Sequence, residues 1–233
     1  MRIAHYPGTV ADDLSARADL PPSPLTWAYA DGWAEEEPAL AAARRAAQSL
    51  GVPCIARSTG AALRLLTASI GATAVVELGS GTGVSGGWII GGLAPDGILT
   101  TVDSDPELHA LSRDTFIALG VPHTQVRAIG GEPFDVLTRL LDGAYDLMVI
   151  GPGLTLSVAE EHALLTEAAR LLRPGGTIAV THALADDGAD PAHRDLAAHL
   201  RDDPHWIAGL LTVGDGLLVA AYRPDPEAAG LAD

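Results

Sequence analysis

The chain of 233 residues has no lysine: its 14 basic side chains are all arginine. Chemistry through a lysine Schiff base is therefore excluded. The single cysteine, Cys54, rules out an intrachain disulfide framework, fits a reducing compartment and is read as a core residue. Basic charge is scarce throughout, with 30 acidic side chains giving a formal net charge of −16. Arg44-Arg45 is only a pair. Such a surface repels phosphate backbones and anionic lipid, so neither a nucleic acid nor a membrane is expected as a partner. The first 24 residues lack the apolar core of a signal peptide, and no apolar run approaches the ~18 residues of a membrane span. A soluble, cytoplasmic protein is expected.

The length fits one α/β domain with a sizeable core. Residues 1 to about 25 are rich in proline, and Pro21, Pro22 and Pro24 are read as helix breakers in an arm or linker. From Ala34 to Leu50, acidic residues precede arginines and Gly51 follows, the charge order a helix dipole favours. A second helix is predicted from Ser58 to about Ile70. Thereafter the β-rich runs "AVVELG", "GILTTVD", "TQVRAIG", "YDLMVIG" and "GTIAVTHA" alternate with helical stretches at 105–119, 133–141 and 157–172. This alternation predicts a parallel sheet flanked by helices. Four of the runs are apolar on both faces and belong at the centre. Near the end, "WIAGLLTVGDGLLVAAYR" reads as two strands joined at Gly214-Asp215-Gly216, an antiparallel hairpin.

The stretch "VVELGSGTGVSG" places Gly79, Gly81 and Gly83 in a strand-to-helix turn, where absent side chains let backbone amides approach a ligand. It also contains Gly81-x-Gly83-x-x-Gly86, a weak dinucleotide signature. Asp103 follows about twenty residues later at a strand end, the spacing at which a carboxylate takes ribose hydroxyls, while Asp105 before Pro106 reads as a helix cap. Glu77 lies inside an apolar strand, where a carboxylate is costly unless hydrogen-bonded or facing a cation.

The order "VVELGSGTGVS", "LTTVDSDPE", "YDLMVIG", "LLRPGGTIAV" and a final hairpin resembles the class I S-adenosylmethionine-dependent methyltransferases, specifically the catechol/caffeoyl-CoA-type O-methyltransferases, over about Thr59 to Arg223. The resemblance implies a Rossmann-like, seven-stranded sheet of order 3-2-1-4-5-7-6 with strand 7 antiparallel. It implies S-adenosyl-L-methionine as methyl donor. Glu77, Gly79, Ser80, Gly81 and Gly83 would form its loop, Ser85 would bind its carboxylate and Asp103 its ribose; Gly131 and Glu132 would border the adenine, with Gly151 at the end of strand 4. The implied domains are an arm (1–33), a methyltransferase domain with N-terminal helices (34–223) and a flexible tail (224–233).

Departures from the family pattern matter as much. Where such enzymes carry an aspartate after strand 4 and an Asp-Asn pair after strand 5 to hold a divalent metal, this chain has Ile150-Gly151-Pro152-Gly153-Leu154 and Val180-Thr181-His182-Ala183. Hard oxygen ligands are missing, so no divalent metal is expected. His182, at the end of a buried strand, is the candidate base. The acidic loop 186–193 matches no ligand spacing. Trp27, Tyr29 and Trp33 suggest an arm that covers the acceptor, packs ordinarily or forms a homodimer. The expected function is O-methylation of a small-molecule hydroxyl. Its alternatives are a nucleotide-binding module without turnover and an NAD-dependent oxidoreductase.

Overall fold

The computed structural model describes residues 23–154, 156–185 and 191–224. Helices α1 (Pro24–Trp33), α2 (Pro38–Leu50) and α3 (Arg57–Ser69) lead into β1 (Ala74–Leu78), α4 (Val84–Ile90), β2 (Ile98–Asp103), α5 (Pro106–Ala118), β3 (Val126–Gly130) and α6 (Pro133–Leu137). Then come β4 (Tyr145–Ile150), α7 (Val158–Leu171), β5 (Leu172–Thr181), α8 (Pro191–Asp202), β6 (Trp206–Leu211) and β7 (Leu217–Tyr222). The strands form one sheet of order β3-β2-β1-β4-β5-β7-β6, in which only β7 runs antiparallel to its neighbours. The expected architecture is the one found.

Period-two alternation decides which core each strand residue enters. Val76, Leu78, Met148, Ile150, Ile178 and Val180 point to the face covered by α7 and α8. Their neighbours Val75, Leu147, Val149 and Ala179 join Leu40, Leu63 and Trp88 on the other face. Two buried faces explain why β1 and β4 read as largely apolar runs rather than alternating ones.

Helix ends follow local chemistry. Asp105 caps α5 by accepting from the amides of Glu107 and Leu108, with Pro106 in the first turn. Ser157 and Glu160 form a capping box on α7. Gly51 ends α2 at φ 67°, a left-handed position that favours glycine. The N-terminal reading needs correction at two points. Pro24 does not break a helix: it starts α1, capped by Ser23. The helix expected from Ala34 begins only at Pro38, because Glu36 is turned inward. Glu36 is buried against Arg44, with Nε–Oε2 at 2.9 Å, and accepts from Trp88 Nε1 at 3.3 Å. This pair fastens the N-terminal helices to α4. The tail expected at 224–233, apart from Pro224, and the part of the expected arm before Ser23 lie outside the described residues, as does the acidic segment 186–190.

Beneath the sheet, Asp146 closes the turn into β1. Its Oδ2 accepts from the amides of Thr73 (2.6 Å) and Ala74 (2.9 Å) and from the Thr73 hydroxyl (2.9 Å), and Arg173 pairs with its other oxygen. Burial works against its charge, but these donors and the guanidinium hold its carboxyl below the usual range. A depressed carboxylate contributes stability above its unfolded-state pKa and loses it as pH falls through the folded value. Asp146→Asn should therefore destabilise the fold by about 1–3 kcal/mol at pH 7, with a gap that shrinks below about pH 4. Denaturant titrations at pH 7 and 3.5 check this; an equal gap at both would contradict it.

Candidate active site

The C-terminal ends of β1, β2 and β4 open onto a cleft. Its floor is Gly79, Ser80, Gly81 and Thr82 with Ser85 at the start of α4; Asp103, Ser104 and Leu108 form one wall. The glycines hold the turn because Gly79, Gly81 and Gly83 take φ values of 81°, 50° and 88°, which L side chains adopt only under strain. At Gly83 a Cβ would also stand 3.0 Å from the Ser112 backbone, so α5 presses on the loop from below.

Asp103 fixes this turn. Its Oδ2 accepts from the Gly81 amide (2.9 Å) and the Ser80 hydroxyl (3.1 Å), and its Oδ1 from the Asp105 amide (3.0 Å). A carboxylate has roughly four acceptor positions, so capacity remains on Oδ1 toward the cleft.

Glu77 lies fully buried beneath the loop. Its Oε2 accepts from Thr101 Oγ1 at 2.7 Å, whereas Oε1 has no hydrogen-bond partner. Desolvation pushes its pKa up to about 7; the hydroxyls of Ser85 and Thr101 oppose the rise, and the charge of Asp103 adds to it.

Of the residues expected at the cofactor, Gly79, Ser80, Gly81, Ser85 and Asp103 line the cleft. Glu77 and Gly83 support it from below. Gly131, whose amide donates to the Asp103 carbonyl at 2.9 Å, and Glu132, the exposed N-cap of α6, stand beside Pro133, which does line it. Gly151 is replaced at the surface by Pro152, Gly153 and Leu154. Its amide donates to the Leu78 carbonyl at 2.8 Å, and a Cβ there would meet the Gly79 carbonyl oxygen at 2.3 Å. A side chain at 151 would thus require the backbone to move.

His182 stands at the end of β5 but is not among the lining residues. Its Nε2 lies 3.4 Å from Asp215 Oδ2 in the β6–β7 turn. It is the one described residue other than glycine with positive φ, 57°. Hydrogen bonds from the amides of Ala183 to Gly216 O and Leu184 to Asp215 O hold the adjoining backbone.

One wall was not foreseen. Val52, Pro53, Cys54 and Ile55, between α2 and α3, face the cleft. Cys54 is therefore half-buried lining rather than core; burial raises its thiol pKa, and Arg44 Nη1 lies 3.4 Å from its sulfur. The only signal for this segment was the helix stop at Gly51. Among the described residues no cluster of three His, Cys, Asp or Glu could hold a metal, and no helix is long and apolar enough to cross a membrane.

With this geometry in place, the relatives can be compared. The sequence profile of the O-methyltransferase family matches residues 33–222, and the chain belongs to that family. An O-methyltransferase-family protein of Mycobacterium avium is 38% identical over 202 residues, covering 83% of this chain and 89% of its own. The crystal structure of a Corynebacterium glutamicum protein, 29% identical, superposes with a TM-score of 0.74 over 84% of this chain and 95% of that one. An O-methyltransferase from Bacillus cereus, crystallised with S-adenosylhomocysteine and 20% identical, shares the fold at a TM-score of 0.71 over 85% and 99% of the two chains.

The state of Glu77 is open to measurement. Its folded pKa lies above the ordinary 4.5, so the folded protein holds the proton more tightly. Stability is greatest below the unfolded pKa and is lost as pH rises through about 7. Glu77→Gln, neutral at every pH, should match wild type near pH 5 and exceed it by roughly 1–2 kcal/mol at pH 8.5. Thermal melts across that range check this, and a variant less stable at pH 8.5 than at pH 5, relative to wild type, would refute it.

Proposed function

We propose that the chain transfers the methyl group of S-adenosyl-L-methionine to a hydroxyl of a small molecule, without a divalent metal. The observation that carries the donor assignment is the Asp103 carboxylate, seated at the end of β2 in the cleft lined by the glycine turn. Membership of the O-methyltransferase family supports the reaction class. It also argues against NAD as the nucleotide for Gly81-x-Gly83-x-x-Gly86; in addition, among the described residues no basic side chain lines the cleft to meet a pyrophosphate. The acceptor is admitted between the apolar walls Val52–Ile55 and Pro152–Leu154.

Absence of a metal is supported by Gly151, whose crowding leaves no room for a carboxylate where the family pattern has one. Rate enhancement then rests on alignment of the acceptor oxygen with the sulfonium methyl. The oxygen attacks the methyl carbon, the carbon–sulfur bond breaks, and S-adenosylhomocysteine leaves as the neutral thioether. Removal of the hydroxyl proton is assigned to His182. His182 stands outside the lining of the cleft; its support is a strand-end imidazole at the C-terminal edge of the sheet, in a left-handed backbone conformation, with the Asp215 carboxylate available to orient it. A second copy of the chain is the partner suggested by α1, whose Leu25, Tyr29 and Trp33 are mostly exposed.

Screening hydroxylated aromatic compounds with the methyl donor in excess EDTA, with product detected by mass, tests the assignment. Turnover should persist in the chelator; complete inhibition reversed by Mg²⁺ would contradict it. Asp103→Ala should weaken S-adenosylhomocysteine binding by ~1–3 kcal/mol, and unchanged affinity would remove the ribose role. His182→Ala should lower the maximal rate by about 10²–10⁴-fold with nucleoside affinity intact. Full activity in that variant would make His182 structural.

A further inference from the structure

Glu77 is the one buried carboxyl group next to the cleft that the reaction above does not use. Its surroundings are unusually complete. Below it Thr101 donates to Oε2; above it Ser85, itself 4% exposed, lines the cleft. Gly86 in α4 comes so close that a Cβ there would lie 3.0 Å from Oε2 and 2.8 Å from the Phe116 ring. Among the described residues, Asp103 is the charged group acting on it; Ser85, Thr101 and Phe116 carry no charge. Among the described residues no cation neutralises an ionised Glu77, and Oε1 makes no well-formed hydrogen bond, with the Ser85 hydroxyl the polar group beside the carboxyl.

An ionised carboxylate with an orphaned oxygen and an acidic neighbour is the costliest arrangement this site can take. A neutral carboxylic acid removes the charge and turns the orphaned oxygen into a donor. The group above it is Ser85, whose hydroxyl must donate toward the cleft to hold a carboxylate there. A hydroxyl that donates its only proton outward can still accept a hydrogen bond from behind.

We propose that Glu77 acts as a positioning residue in its neutral form: it donates its proton to Ser85 Oγ, which directs the Ser85 hydroxyl proton at the carboxylate of the bound amino acid moiety. This rests on the S-adenosyl reading given above and extends it. No covalent bond changes; two hydrogen bonds form in series, and both need the same proton on Glu77. Ligand affinity is thereby tied to the protonation of a residue buried beneath the cleft floor. The burial that raises the Glu77 pKa to about 7 places this dependence near neutrality.

The test is calorimetric titration of the full chain with S-adenosylhomocysteine between pH 5.5 and 8.5, for wild type, Glu77→Gln and Ser85→Ala. Wild-type affinity should be flat at low pH and fall about tenfold per pH unit once Glu77 ionises. In Glu77→Gln, whose amide donates at every pH, that decline should vanish and binding at pH 8.5 should exceed wild type. Ser85→Ala should bind more weakly at all pH values and lose the same decline, which keeps the test open should the first variant fold poorly. Histidine titration and the ligand's own amine act equally on all three proteins, so the difference between profiles isolates Glu77. Wild-type affinity that rises or stays level through pH 7, or loss of binding in Glu77→Gln, would overturn the relay while leaving the nucleoside reading intact. Absence of wild-type binding at every pH would overturn that reading and the relay together.

Discussion

At the end of β2, a single carboxylate gathers the donors of a turn in which three of five residues are glycine. Asp103 gathers the Gly81 amide, the Ser80 hydroxyl and the Asp105 amide and so ties together the loop after β1, the strand end of β2 and the start of α5, while Thr115 of α5 donates to the Thr82 carbonyl in the same loop. Three left-handed glycines make that turn possible but also make it floppy in the unfolded chain. The charge-assisted hydrogen bonds of Asp103 offset that entropy and, in doing so, shape the cleft floor. The acid that organises the loop is also the one proposed to meet a ribose, and on that reading folding of the site and binding at the site are parts of one constraint.

A second acid is placed by the opposite logic. Among the described residues Glu77 has no cation beside it, one oxygen without a well-formed hydrogen bond and a negative neighbour. Burial raises its pKa to about 7, where Asp103, at the cleft surface, receives three donors. Two carboxyl groups on adjacent strands are thus given different tasks by their surroundings, one as acceptor and one as donor.

Much of the fold was legible because the sheet buries both faces: an apolar run such as Tyr145–Ile150 has few other places to go. The terminal hairpin was legible from Gly214 and Gly216, which take the left-handed conformations the turn demands. The N-terminal helices were less so. Ser23-Pro24 is a helix start, yet a cluster of prolines reads more readily as a break. Glu36 looked like a first-turn acid and is instead the buried partner of Arg44 and Trp88, a pairing set by tertiary packing and invisible to periodicity. In the site, residues on the glycine turn and Asp103 could be named in advance because their spacing is local. The wall from Val52 to Ile55 could not, since nothing in a connection between two helices says which distant loop it will face. The same long-range packing shows why Gly151 is glycine: the Gly79 carbonyl occupies the space a side chain would need.

The account depends most on the cleft being a nucleoside site that works without a metal. Titration of metal-stripped protein with S-adenosylhomocysteine, repeated with Mg²⁺ added, addresses both halves directly. Saturable one-to-one binding of equal affinity in the two conditions is the predicted result. Binding that is absent, or that appears only with the cation, would contradict it.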